Sequence, residues 1–423
     1  MKRQLGGQCT GSGDTDAKRP YHAPMNRHGM NRRGQNRTGE DRPEPAGTAS
    51  PRQTRDAAKD TRLALTLPPD AIDDKAWEQI ENVLSLDCLV RLAIMPDVHA
   101  GYDLCIGGVA LLAGTISPGF VGYDIGCGMC HVNTGRTVDE LLPDALSRQR
   151  LFDRILHDIP VGTDMRGPGE FDAPRFLSAS GDKGLTASVV AKAARQMATL
   201  GGGNHFIEVG VNSRSEVGIT LHSGSRRPGW DIAAWYMRQG RLFALRTPMG
   251  QAYLKDMQWA QEYALANRRA MLALVLKAFP SLDEATISHL LASTINENHN
   301  HAEVDGANVL HRKGATPAAS GQPGIIPANQ RDGVYITRGL GNAYYLSSAS
   351  HGAGRVMSRQ KARAHIEQMT FERQMHGILC RTDKGVLDEA PDAYKPIAPV
   401  LAAQDGLLVD VVDHFRPVVV IKG

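Results

Sequence analysis

The pattern of hydrophobic and polar positions divides the chain near residue 62. Before that point apolar residues are few and follow no period, while Gly, Pro, Arg, Asn, Thr and Asp predominate. Such a stretch cannot bury enough apolar surface to offset the entropy of ordering, so residues 1–60 are expected to form a disordered basic leader. Order is expected from Leu63. Asp73 and Asp74 can cap a helix on which Trp77, Ile80 and Leu84 share one face. LVRLAIMPDVHAG (89–101) reads as a buried strand ending in a polar turn, and IGGVALLAGTISPG (106–119) as a second strand. Residues 136–200 form a mixed segment with a loop around MRGPGEFDAP. FIEVGV (206–211) and VGITLHSG (217–224) alternate as half-buried strands do. On such a strand Asn204 and Glu208 share one face and His205 points to the other. The strongest helical signal covers 255–279, where Trp259, Tyr263, Ala266 and Ala270 recur and Pro280 stops the run. From 296 the chain reads as loop-rich, with short strands at GVYITRG and VVVIKG. Neither a repeat nor a linker splits the body. The expected architecture is α+β: one large catalytic domain of mixed sheets and helices over residues 63–423, behind the leader.

Composition adds an asymmetry. The formal charge is +3, yet residues 1–62 hold 13 Lys/Arg against 7 Asp/Glu, so the body is slightly acidic and the leader basic. A basic tail suits a polyanionic partner or a solvated leader. Aromatic residues are only 5% of the chain, so base-stacking platforms are not the expected route to nucleic-acid binding. Six cysteines follow no extracellular framework, and neither a signal-peptide core nor an apolar run of membrane-spanning length is present. A cytoplasmic location with free or metal-bound thiols is expected.

The candidate chemistry lies nearly all in Gly-rich turns, among the segments VGYDIGCGMC (121–130), LGGGNHFIEVG (200–210), LHSGSR (221–226), NENHNHAE (296–303), SHGAGR (350–355) and IKG (421–423). Glycine lets backbone approach a metal or phosphate closely. These turns offer Asp124, Cys127, His205, His222, His299 and His351, a donor set suited to a polynuclear or nucleotide-bearing metal site. Cys127 and Cys130 form a CxxC, but without a second CxxC a zinc ribbon or thioredoxin-like site is poorly supported. His299 and His301 alternate with Asn, so on an extended segment only one can face the site. His351 stands in a turn open to phosphate, with Arg355 placed to hold its oxygens. By spacing alone it is equally a nucleophile or a further metal ligand.

The ordered motifs MPDVH (95–99), DIGCGM (124–129), GGGNHFIE (201–208), HSGSR (222–226), RKGA (312–315), GIIP (324–327), RGLGN (338–342), SHGAGRVMSR (350–359), DEAPDAYK (388–395) and the terminal KG resemble those of the RtcB family of RNA ligases. The resemblance covers roughly residues 75–423. It implies an enzyme that joins RNA 3′-phosphate or 2′,3′-cyclic phosphate ends to 5′-hydroxyl ends, in tRNA splicing or RNA repair, using GTP and two Mn²⁺ ions. It further implies that Cys127 bridges the ions, with Asp124 and His205 on one and His222 and His299 on the other. His351 would accept GMP, Asn204 and Arg355 would contact phosphate, and Glu208, Tyr394 and Lys422 would hold guanine or ribose. An archease-type activator is a candidate partner; a membrane is not.

Two departures from the family pattern stand out. Ala328-Asn329-Gln330-Arg331 replaces the usual GSMG, and HSGSR runs on into Arg227-Pro228. Neither removes a ligand or the nucleophile. The competing readings are a metal-dependent cyclic phosphodiesterase and a non-catalytic RNA-end binding protein.

Overall fold

The computed structural model describes residues 55–423. The expected leader therefore falls mostly outside the described residues; of its last part, Asp56–Lys59 form a short 3-10 helix. The remainder is a mixed α+β architecture built on two sheets.

The larger sheet has seven strands, in the spatial order Pro323–Pro327, Val334–Gly339, Val409–Lys422, Phe206–Val211, Glu216–Ser223, Gly128–Thr137 and Ile295–Asn298. Every neighbouring pair is antiparallel. The second sheet has five strands, ordered Leu63–Leu65, Leu89–His99, Ile106–Ala113, Asn308–Lys313 and Asn300–Asp305. Ser348–Ser350 pairs with Ala315–Pro317 and carries the chain to His351.

The alternation of side chains sorts the larger sheet into a core face and a working face. Ile207, Val209, Val217, Ile219, Leu221, Cys130, Val132, Val419 and Ile421 belong to one apolar cluster with Met271, Leu272, Val275 and Leu276 of the helix Pro248–Lys277. The intervening positions, Phe206, Glu208, His222, Met129 and Lys422, point the other way. Register sets four of them in a row: Met129 opposes His222, His222 opposes Phe206, and Phe206 opposes Lys422. Truncating a core-face residue such as Ile219, fully buried, is expected to cost about 2–5 kcal/mol through lost burial and an unfilled cavity.

The helix Asp74–Leu84 forms as the pattern indicates. Asp73 caps it by accepting from the Ala76 N–H, and Trp77, Ile80 and Leu84 are buried. Other expectations need correction. Strands Phe206–Val211 and Glu216–Ser223 are buried on both faces, because helices cover one side and the site the other. The region after 296 is strand-rich, with a closing strand of 14 residues. Within 136–200 the expected loop is present, flanked by two helices, Ala145–Asp158 and Lys183–Gln196. The long helix starts earlier than expected and buries Ala260, Tyr263, Ala264, Asn267, Arg268 and Met271. Trp259, Ala266 and Ala270 lie toward the edge of that buried face.

Candidate metal centre and adjoining cleft

Asp124 and Cys127 are joined by a tight turn in which the Cys127 N–H donates to the Asp124 carbonyl at 3.0 Å. This accounts for the DxxC spacing: the turn brings carboxylate and thiol to one side. The His299 N–H donates to the Cys127 carbonyl at 2.8 Å, which brings a third donor alongside. Gly224 is needed for close approach, since a Cβ there would lie 2.3 Å from Asp124 Oδ1.

The donors converge. Cys127 Sγ is 3.2 Å from His222 Nε2 and 3.5 Å from His205 Nε2; His205 Nε2 is 3.0 Å from Asp124 Oδ2; His222 Nε2 is 3.2 Å from His299 Nε2. Two overlapping groups result, Asp124–Cys127–His205 and Cys127–His222–His299, with donor atoms of each within 4.8 Å of one another. The second nitrogens fix the tautomers of two rings. His205 Nδ1 bonds the Leu200 carbonyl and His222 Nδ1 bonds the Asn204 carbonyl. A carbonyl only accepts, so each Nδ1 carries the hydrogen and each Nε2 presents a lone pair to the cluster. Burial also pushes the His222 and His299 pKa values well below the ordinary histidine value, which keeps the rings neutral. Lone pairs crowded together without a proton are satisfied by a cation, and the thiol, imidazole and carboxylate set suits a divalent transition metal.

Behind the cluster lies a group that the sequence did not reveal. Arg268 is fully buried. It donates to the Gly126 and Ser223 carbonyls, both at 2.8 Å, and to the side-chain oxygens of Asn296 and Asn298, both at 2.7 Å. One guanidinium thus ties the backbone beside Cys127 and His222 to the Asn298 side chain next to His299. His301, by contrast, turns away to Arg312. Cys130 faces the apolar core, as expected for a strand position three residues past Cys127.

His351 borders the cluster, its ring centroid 4.8 Å from that of His299. Its Nδ1 lies 2.6 Å from Oδ2 of Asp97, a fully buried carboxylate. Gly314 admits the ring, because a Cβ there would come within 3.0 Å of His351 Cε1 and 2.3 Å of Ile106.

A cleft of about 1190 Å³ opens over these groups, lined by Asp124, Asn204, Glu208, His222, His351, Arg355, Tyr394 and Lys422. That volume exceeds what a nucleotide alone requires. Cys127, His205 and His299 lie buried beneath it. On one wall Glu389 accepts from the Tyr394 hydroxyl (2.6 Å), Lys422 (2.5 Å) and Arg355 (3.0 Å), and also from Arg359. Asp388 pairs with Arg359 and Arg363. Four cations around two carboxylates leave a positive surplus suited to a polyphosphate. Burial works against charge on Glu389, but Lys422 and Arg359 more than offset it and hold the carboxyl below its ordinary value. At Glu208 the Lys422 charge only partly opposes burial. Burial pushes its carboxyl well above the usual range, and its Oε1 has no hydrogen bond. The replaced segment adapts to this wall: Gln330 donates to the Glu389 carbonyl at 2.8 Å, and Arg331 pairs with Asp332.

The site therefore joins a candidate metal centre to a cation-lined wall. The chain belongs to the RtcB family: the family model described as tRNA-splicing ligase RtcB matches residues 79–179 and 177–423. It is 35% identical over 401 residues to the RNA-splicing ligase RtcB of Escherichia coli K12, covering 83% of this chain and 95% of that protein. It is 29% identical to the tRNA-splicing ligase RtcB of Nanoarchaeum equitans and 30% identical to that of Methanococcus maripaludis, with 83% of this chain and 92% of each relative covered. Among the described residues no helix is long and apolar enough to cross a membrane.

Proposed function

We propose that this protein is a GTP- and Mn²⁺-dependent RNA ligase that joins RNA 3′-phosphate ends to 5′-hydroxyl ends through a GMP–His351 intermediate. The observation that carries the reading is the pairing of His351 with Asp97 beside five convergent metal donors. Asp97 accepts the Nδ1 hydrogen, which leaves the lone pair on Nε2 for attack. His351 Nε2 forms a bond to the α-phosphorus of GTP, and the bond to the β-phosphate oxygen breaks, releasing pyrophosphate. The RNA 3′-phosphate then attacks that phosphorus and the P–N bond breaks, returning the electron pair to His351. The 5′-hydroxyl attacks the activated 3′-phosphorus, loses its proton, and GMP departs as the phosphodiester forms.

Asp124, Cys127 and His205 would hold one Mn²⁺ ion, and Cys127, His222 and His299 the other. The ions would supply charge screening and Lewis acidity at phosphorus. Asn204, Arg355 and Arg359 would orient phosphate. Lys422 and Tyr394, already fixed by Glu389, would flank the ribose or base. The unpartnered Glu208 would take the N1–H and N2–H donors of guanine, a pair that adenine lacks. Retention of every donor and of His351 counts against a cyclic phosphodiesterase and against a non-catalytic RNA-end binder. The test is incubation with α-labelled GTP and Mn²⁺, followed by a denaturing gel. A labelled adduct that is acid-labile and alkali-stable is expected, and its loss in His351→Ala. A label that persists in His351→Ala would move the nucleophile to another residue.

A further inference from the structure

Aromatic residues are sparse in the chain, yet three of them meet at the mouth of the metal cleft. Tyr102, Tyr123 and Trp230 all line it, on three separate segments: the turn after Leu89–His99, the turn entering Asp124, and the first turns of the helix Arg226–Gln239. Tyr123 and Trp230 stack, with centroids 5.4 Å apart and planes 20° from parallel. Tyr102 meets Tyr123 edge-on at 5.5 Å. The Arg227 guanidinium carbon lies 3.9 Å from the Trp230 ring centroid, and Lys313 Nζ lies 5.4 Å from the Tyr102 ring centroid. Tyr102 is 67% exposed and Trp230 39%.

Tyr102 and Trp230 do not serve the core. The apolar cluster that holds Tyr123 at its edge is closed by Ile116, Val121, Ile232, Tyr236 and Tyr253, all fully buried, and contains neither Tyr102 nor Trp230. The exposed Tyr102 ring and the Arg227 guanidinium, which is held in place by Asp231 at 2.9 Å, lie beside a cleft lined by cations, and together they match what an unpaired nucleic-acid strand requires. The Lys313 ammonium is buried, donates to the Gly119 carbonyl and only supports the Tyr102 ring from below. Each base offers a π-face, which can lie on the exposed Tyr102 ring or on the outer plane of the Arg227 guanidinium that Trp230 and Tyr123 back. The location restricts which part of the strand is bound, since Tyr123 is the residue before Asp124. A base seated here has its sugar-phosphate within a nucleotide or so of the metal donors. Arg227, part of the departure from the family pattern, contributes the outer member of the ladder.

We infer that Tyr102, Tyr123, Trp230 and Arg227 form a sequence-tolerant stacking platform for the terminal unpaired bases of an RNA end delivered to the metal cluster. This rests on the RNA-ligase reading, but its test is separable. Single-stranded oligoribonucleotides bearing either a 5′-hydroxyl or a 3′-phosphate would be titrated by fluorescence anisotropy into the full-length protein and into the Tyr102→Ala, Trp230→Ala and Trp230→Phe variants. Adduct formation with GTP and Mn²⁺ is followed in parallel. Each Ala variant is expected to weaken binding of at least one oligonucleotide by about 10-fold, Tyr102→Ala by removing a base–aromatic stack and Trp230→Ala by removing the ring that backs the Arg227 plane, and Trp230→Phe should restore most of the latter loss. The oligonucleotide that responds identifies which RNA end the platform seats. The ratio of variant to wild-type affinity should persist at raised salt, because stacking does not depend on counterion release as phosphate contacts do. Unchanged affinity for both oligonucleotides, in variants that still form the adduct, would overturn the inference and leave the ladder as a surface for a protein partner. Failure of the wild type to form any adduct would instead strike the proposed function, with the binding comparison still reading the platform.

Discussion

His351 Nδ1 lies 2.6 Å from Asp97 Oδ2, although 254 positions separate the two residues. Asp97 is fully buried at the polar end of the strand Leu89–His99, and no other hydrogen bond reaches its second oxygen. The pair fixes both the tautomer and the orientation of the ring. Asp97→Asn keeps the shape but removes the charge, and its amide can offer a hydrogen where Nδ1 needs an acceptor. GMP adduct formation in a single turnover is expected to slow by on the order of 10²-fold, the upper end of what such supporting partners contribute. Mn²⁺ binding should be nearly unchanged, because Asp97 touches none of the five donors. An unchanged rate of adduct formation would remove Asp97 from the mechanism.

The two thiols of the CxxC should behave differently. Cys127 sits among His205, His222 and Asp124, whereas Cys130 is packed among Ile207, Leu221 and Val275. Cys127→Ser substitutes a hydroxyl, a poor bridging ligand, and should abolish Mn²⁺ binding and adduct formation together. Cys130→Ala should cost about 1 kcal/mol of stability for the small cavity and leave metal stoichiometry intact. Metal content after gel filtration checks both. Equal metal loss in the two variants would point to a CxxC site in place of the bridging arrangement.

Glu208 has a buried oxygen without a partner, in a wall where other carboxylate oxygens carry one or more bonds. A ligand donor is the natural complement. Glu208→Gln puts an amide hydrogen in place of an acceptor and should weaken GTP use by about 10-fold, as expected when a buried hydrogen-bond acceptor is lost. The loss should be smaller for ITP, which lacks the N2 donors. Initial rates of adduct formation across nucleotide concentrations measure this. Equal losses for GTP and ITP would argue that Glu208 does not face the base's N2 group.

How far the site was legible depends on where each residue's partner lies. Asp124 and Cys127 share a local turn, and their spacing exposes them directly. His205 stands two residues past a glycine run, His222 beside Ser223 and His299 between two asparagines, so each is visible as a candidate, but their convergence needs the register of several strands, which periodicity does not supply. Asp97 and Glu389 stand within motifs of the family, yet nothing in their neighbourhoods indicates His351 or Lys422 as partners. Arg268 was hidden more thoroughly. On a helix of mixed pattern an arginine reads as solvent-facing, and only the strand ends packed against it supply its four acceptors. The working-face residues Glu208, His222 and Lys422 made their strands look half-exposed, because a polar residue facing a buried site gives the same alternation as one facing water. The strands after 296 were obscured by short lengths and polar residues, and the closing strand by its polar first half and Pro417. The aromatic ladder drew its members from three distant segments, so a low overall aromatic content concealed it.

Two buried histidines away from the metal cluster should set the acid limit of the fold. His131 lies between Thr220 Oγ1, at 2.8 Å, and the Phe415 ring, at 4.7 Å. His311 accepts from the Ser117 N–H at 3.0 Å and meets Phe120 edge-on. Burial pushes the pKa of each down to about 4; Asp413 opposes this at His131, and backbone hydrogen bonds oppose it at His311. An unfolded histidine titrates near 6.5. Between those values the unfolded chain binds protons that the folded chain refuses. Stability is therefore full above about pH 6.5, falls as pH drops toward 4, and falls no further from these groups below that. Each histidine contributes a slope of at most about 1.4 kcal/mol per pH unit. Chemical denaturation at pH 7, 6, 5 and 4.5 should show the decline. His131→Gln, which cannot take a proton, is expected to start less stable at pH 7 but to show a slope shallower by up to one proton. A slope identical to that of the wild type would mean that His131 is not held neutral in the folded state.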